Sequence, residues 1–152
     1  MGIKERLRSD LTEAIRSRDE ISSSTIRMVL TAITTEEVAG KTARELTEPE
    51  LITVLSREVK KLREAAEAFD LGARPERANL ERSEMEVLTH YLPTQLSEAE
   101  LAEIIHAAIK QSGAAGPAGM GMVMKVIAPA IAGKADGGAV SAAVKQALQN
   151  NL

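Results

Sequence analysis

The sequence predicts an all-α fold of about seven helices, and three observations carry that reading. Apolar residues recur at three- and four-residue intervals from Ile3 to Leu148, the spacing that lines one face of a helix. No segment alternates apolar and polar residues for long enough to make a strand. Two capping boxes, Thr47-Glu48-Pro49-Glu50 and Ser97-Glu98-Ala99-Glu100, stand directly ahead of apolar stripes. The 152 residues suit one domain of ordinary size, or one domain with a small appendage. A chain of that length can bury about two-thirds of its unfolded surface, so a real core is available.

The elements follow in order. Ile3, Leu7, Leu11, Ala14 and Ile15 form the first helical stripe. Asp19 is placed to cap a second helix carrying Ile26, Val29, Leu30, Ile33 and Val38 and ending near Gly40. Thr47 opens a third helix with Leu51, Leu55, Leu62, Ala66 and Phe69. Its Pro49 lies in the first turn, where a missing N–H costs nothing, and Gly72 is expected to end it. A fourth helix starts at Pro75, runs through Leu80, Val87, Leu88 and Tyr91, and stops at Pro93. Ser97 opens a fifth with Leu101, Ile104, Ile105, Ala108 and Ile109, and Gly113 to Gly116 break it. Pro117 begins a sixth, with Met120, Val123, Met124, Ile127 and Ile131, which Pro129 should bend or end. After Gly133, Asp136 can cap a last helix with Val140, Ala143, Val144, Ala147 and Leu148.

Charge divides the chain unevenly. Residues 1–92 hold 15 Lys/Arg and 18 Asp/Glu, whereas residues 93–152 hold 4 of each and 15 alanines. The expected organisation is an N-terminal charged helical part, 1–92, and a small Ala/Gly-rich helical domain, 93–152, in which small side chains let helix axes approach. The net charge of −3 excludes binding of nucleic acid by bulk electrostatics and leaves only a local patch for it. With Phe69 and Tyr91 the only aromatics, modules that stack bases on several rings are excluded too. The absence of cysteine rules out disulfides, thiolate zinc sites and a cysteine nucleophile. No apolar run follows Met1-Gly2-Ile3-Lys4-Glu5-Arg6, and no stretch of about 18 apolar residues occurs, so the expectation is a cytoplasmic protein without a membrane span.

Few residue sets suggest catalysis. His90 and His106 lie on different helices and offer no metal-ligand spacing, so no metal and no cofactor are expected. Ser22, Ser23 and Ser24 have no readable base, and helix-start hydrogen bonding is their simplest role. Carboxylate pairs such as Glu36-Glu37 and Glu84 with Glu86 read as solvated faces. Gly116-Pro117-Ala118-Gly119-Met120-Gly121 follows no strand and lacks the Lys-Ser/Thr of a nucleotide loop. Glycine for close helix packing is the simpler reading there, with helix starts that bind single phosphates as the alternative. Lys60, Lys61 and Arg63 form a secondary basic face, which the neighbouring Glu58, Glu64 and Glu67 can neutralise. Lys125 and Lys134 stand among almost no acids, so their field is less cancelled. Such lysines beside glycine turns suit contact with an RNA backbone.

Two groups of words then resemble a known family. Arg63-Glu64, Ala68-Phe69, Gly72, Glu84, Glu86-Val87-Leu88 and Tyr91-Leu92-Pro93 with Gln95-Leu96 resemble YqeY-like proteins. Met120-Gly121-Met122-Val123-Met124-Lys125 and Gly133-Lys134-Ala135-Asp136-Gly137 resemble both that family and the C-terminal tail of the B subunit of glutamine-dependent Asp/Glu-tRNA amidotransferase. The chain departs from the pattern at Ala73, between Gly72 and Arg74, and in the Ala/Gly richness of Gly113 to Gly119.

The resemblance implies an all-helical fold with a smaller C-terminal helical domain, and a non-catalytic module that binds tRNA or another structured RNA. Lys125, Lys134, Gly121 and Gly133 are the residues it points to. The link to carbon–nitrogen ligase chemistry with glutamine as amido donor then belongs to a larger complex, because neither an amidase Ser-Ser-Lys arrangement nor an ATP site is readable here. The alternative is a protein-interaction or scaffold module that recruits a partner through the N-terminal helices without RNA.

Overall fold

The computed structural model describes residues 1–150, and among them every regular element is helical. Seven α-helices run α1 Ile3–Ser17, α2 Glu20–Glu37, α3 Glu48–Leu71, α4 Pro75–Thr89, α5 Glu98–Ser112, α6 Met120–Ile131 and α7 Gly137–Asn150, with a 3₁₀ turn at Pro117–Gly119 ahead of α6. The chain divides into two compact units, Met1–Leu92 and Pro93–Leu152, each with its own core. No single described helix is long and apolar enough to cross a membrane.

The first unit packs α1 to α4 around Leu7, Ile26, Val29, Ile33, Leu55 and Leu88, all buried. Local signals set its helix starts. The Asp19 carboxylate accepts from the Ser22 N–H at 3.1 Å, and Thr47 and Glu50 complete a reciprocal capping box. Removing such a cap costs about 1 kcal/mol. The second unit packs α5, α6 and α7 around Ile105, Val123, Ile127, Val140, Val144 and Leu148. Ser97 and Glu100 form its capping box, and Asp136 accepts from the Ala139 N–H at 3.1 Å to start α7.

Several helix ends differ from expectation. α2 stops at Glu37 rather than near Gly40, and α4 stops at Thr89, leaving Tyr91 in a turn closed by its N–H to the Leu88 carbonyl at 3.0 Å. α3 ends as expected, at Leu71 with Gly72 as its C-cap, but Gly72 has φ −82° and the left-handed residue is Ala73, at φ 55°. The cause is the hydrogen-bond frame. Arg74 N–H bonds Phe69 O at 2.8 Å and Ala73 N–H bonds Asp70 O at 3.1 Å, the paired reach-backs that make the residue between them turn left-handed. Pro129 does not end α6 on the spot, since the helix continues two residues further, to Ile131. At a proline so near the C-terminus, only one intrahelical bond is forfeited: the Lys125 carbonyl lacks its donor four residues on.

Candidate nucleic-acid interface

In the second unit two of the four acids are committed to helix caps, and the four lysines are not committed to any acid among the described residues. From Ile104 to Ala135 there is no Asp or Glu, and none follows Asp136. Of the four acids in the unit, Glu100 closes the capping box of α5 and Asp136 caps α7. Hydrogen bonds from the Ser97 backbone N–H and side chain hold the Glu100 carboxyl below the usual carboxylate range. By contrast, Lys110, Lys125, Lys134 and Lys145 take part in no ion pair or side-chain hydrogen bond among the described residues.

Lys125 is exposed on α6, and Lys134 is half-buried in the turn after it. That turn is held on both sides. Lys134 N–H donates to Ile131 O at 2.8 Å, and its carbonyl accepts from Leu96 N–H at 2.8 Å. The Gln95 amide donates to the carbonyls of Gly133 at 2.8 Å and Pro93 at 2.9 Å. Gly133 has φ 71°, a conformation that a side chain would strain, so the turn before Lys134 requires glycine. The structure thus joins Gln95-Leu96 to Gly133-Lys134, two words that lie 38 residues apart in sequence.

The glycines ahead of α6 have different roles. A β-carbon on Gly119 would stand 2.7 Å from the Ala114 Cβ, so this glycine allows the 3₁₀ turn to pack. Gly121 is not the helix start, because α6 begins at Met120 with Gly119 as its cap and no side-chain capping bond. A β-carbon on Gly121 would meet nothing within 4 Å, so internal packing does not account for it. Beside it, Met122 is 53% and Val126 42% exposed. Neither residue belongs to the buried stripe Val123 and Ile127, and the spacing of that stripe is the signal that could have exposed them.

The secondary basic face is less open. Lys61 pairs with the buried Glu58 at 3.1 Å, Lys60 is exposed, and Arg63 is half-buried and partnered. The first unit also has an open cleft of about 470 Å³ between α1, α2 and α4, which the sequence did not disclose. In it the Tyr91 hydroxyl donates to Asp10 across 81 residues, and the Arg6 guanidinium lies 5.1 Å from the Tyr91 ring centroid. Burial first, then the Asp10 hydrogen bond and charge, push the Tyr91 pKa upward. Tyr91 is therefore a fixed donor and not a base. Ser22 lines the same cleft, but its hydroxyl donates to the capping Asp19 at 2.7 Å; Ser23 and Ser24 bond backbone carbonyls of their own helix. No described group of His, Asp and Glu could hold a metal ion.

Two comparisons bear on this arrangement. A family model described as Yqey-like protein matches residues 4–148. An uncharacterized protein of Schizosaccharomyces pombe is 29% identical over 92 residues, covering 60% of this chain and 72% of the yeast protein.

Proposed function

The chain belongs to the YqeY-like family, and we propose that within it this protein acts as a non-catalytic RNA-binding module whose C-terminal unit grips tRNA or a similarly structured RNA. One observation carries the reading: among the described residues the four lysines of that unit form no ion pair, while two of its four acids, Glu100 and Asp136, are spent on helix caps. Unpaired cations in an acid-poor setting keep their attraction for phosphate. Lys125 and Lys134 are the principal contacts. The likeness of this region to an amidotransferase tail supports tRNA as the first RNA to test, and any amidation would be performed by other subunits of a larger complex.

The test is titration of labelled tRNA with the full chain at low and moderate salt. Affinity should fall as salt rises, and Lys125→Ala with Lys134→Ala should flatten the log–log salt slope by roughly 0.7–0.9 for each phosphate contact removed. Lys60→Ala with Lys61→Ala should leave the slope nearly unchanged. Absence of binding, or binding indifferent to the Lys125 and Lys134 pair, refutes the proposal. Glutamine turnover by the purified chain should be absent.

A second reading, a protein-interaction module using the N-terminal helices, has one observation in its favour: Leu71, at the turn between α3 and α4, is 91% exposed. Pull-downs with and without ribonuclease separate the two readings. Partners retained after digestion and lost on Leu71→Ala favour this one.

A further inference from the structure

Resting on the RNA-binding reading, we infer that the outer face of α6 receives an unpaired nucleotide, one projecting from a loop or bulge, rather than the side of a regular RNA duplex. Three features of this face combine. Met122 and Val126, one turn apart, are both about half exposed, with Lys125 beside them on the same side. Gly121, one turn before Lys125, leaves the helix backbone bare toward open space. Pro129, one turn after it, is exposed and carries no N–H, so the Lys125 carbonyl lacks its helical donor.

An A-form duplex presents phosphates, ribose hydroxyls and shallow base edges. Pressing Met122 and Val126 against that surface would desolvate charge without return. An unstacked base instead offers a flat apolar face, and aliphatic wedges such as Met are used against bases elsewhere. Both aromatic rings of the chain lie in the other unit, so the thioether and methyl groups of α6 are what this unit has for the purpose. The base lies over Met122 and Val126, its phosphate meets the Lys125 ammonium, and the bare backbone at Gly121 lets the ribose approach. The Lys125 carbonyl is an acceptor for a ribose hydroxyl or an exocyclic amine. Charge complementarity commits the face to RNA: Lys125, the cation at its centre, pairs with no acid among the described residues.

The experiment compares two RNA hairpins of equal length, one fully paired and one with a single bulged adenosine, with tRNA as reference, all bound by the full chain. The bulged hairpin should bind more tightly, by up to about fivefold, the low end of what stacking on an aromatic ring gives, because aliphatic groups replace the ring here. Met122→Ala with Val126→Ala should erase that preference and leave the paired hairpin unaffected. Gly121→Ala should raise the melting temperature, since alanine suits a helix better and meets no obstacle, yet weaken binding of the bulged hairpin. Better folding with poorer binding is an outcome that a purely structural glycine cannot give. If tRNA binds but the hairpins bind equally, or the preference survives the double substitution, the unpaired-nucleotide inference falls and the RNA-binding reading stands. If none of the three RNAs binds, both fall.

Discussion

In the first unit Lys4 reaches Glu37 at 2.8 Å, Arg57 reaches Glu36 at 3.7 Å, Lys61 reaches Glu58 at 3.1 Å, and Arg44 and Arg82 meet Glu50 and Asp70. In the second, Lys110, Lys125, Lys134 and Lys145 meet no acid among the described residues. Exposed pairs such as Arg44–Glu50 contribute little to stability, because water screens the attraction. Their larger effect is on the surface: they cancel the field of a chain segment rich in both signs. The second unit reaches an even balance of 4 and 4 with a different layout. Two of its acids, Glu100 and Asp136, sit at helix starts bonded to backbone N–H groups, and its cations form no ion pair among the described residues. Net charge therefore says nothing about which unit can hold a polyanion; pairing does.

The strongest way to break this comparison is through the cores. Leu55 and Ile105 are buried in separate clusters. Leu55→Ala and Ile105→Ala should each cost about 2–5 kcal/mol, from lost transfer energy plus the cavity left behind. Hydrogen exchange should show the first loosening α1 to α4 and the second α5 to α7. Uniform loosening by either would mean that the two units are not separate in stability.

A smaller effect is expected at Gly119→Ala. The added methyl has 2.7 Å to the Ala114 Cβ and 3.4 Å to its Cα, and alanine cannot swing aside. Overpacking of this kind costs about 1–3 kcal/mol, read as a lower denaturant midpoint. A neutral result would show that the 3₁₀ turn shifts freely and would weaken the distinction drawn between Gly119 and Gly121.

The smallest effect concerns acid. Hydrogen bonds from Arg44, then from Thr47, hold Glu50 at about 2, against an ordinary value of 4.5. The Lys4 hydrogen bond lowers Glu37 as well. A carboxylate depressed in the folded state contributes stability that is complete above its unfolded value and is lost as pH falls toward the folded one. Between about pH 4.5 and 2, the first unit should therefore weaken progressively, and Glu50→Gln should make its loss shallower over that window. A circular-dichroism melt series at stepped pH reads this directly. An acid profile unchanged by Glu50→Gln would remove the pairing from the account of this unit.

How legible each feature was follows from the range of the forces behind it. Both capping boxes were readable because Thr47 with Glu50 and Ser97 with Glu100 interact within four residues. The end of α3 at Gly72 was readable too, but not the left-handed turn at Ala73, which is made by a pair of backward bonds rather than by residue type. At the candidate interface, Lys125 and Lys134 stood out because so few acids lie nearby in sequence. Met122 and Val126 were on the page as apolar residues off the stripe, yet only the fold shows that they stay about half exposed. The Tyr91–Asp10 bond spans 81 residues, and no local pattern announces it.

The clasp formed by Gln95 and Leu96 has a consequence for recognition. Because the main chain at Gly133 and Lys134 is already fastened at both carbonyls, an arriving ligand need immobilise only a flexible side chain and not the loop that bears it. Less freedom is surrendered at the moment of encounter, and more of the contact energy survives as affinity. On the proposed RNA-binding reading, Gln95→Ala should leave every lysine in place and still weaken tRNA binding, through motion rather than through charge.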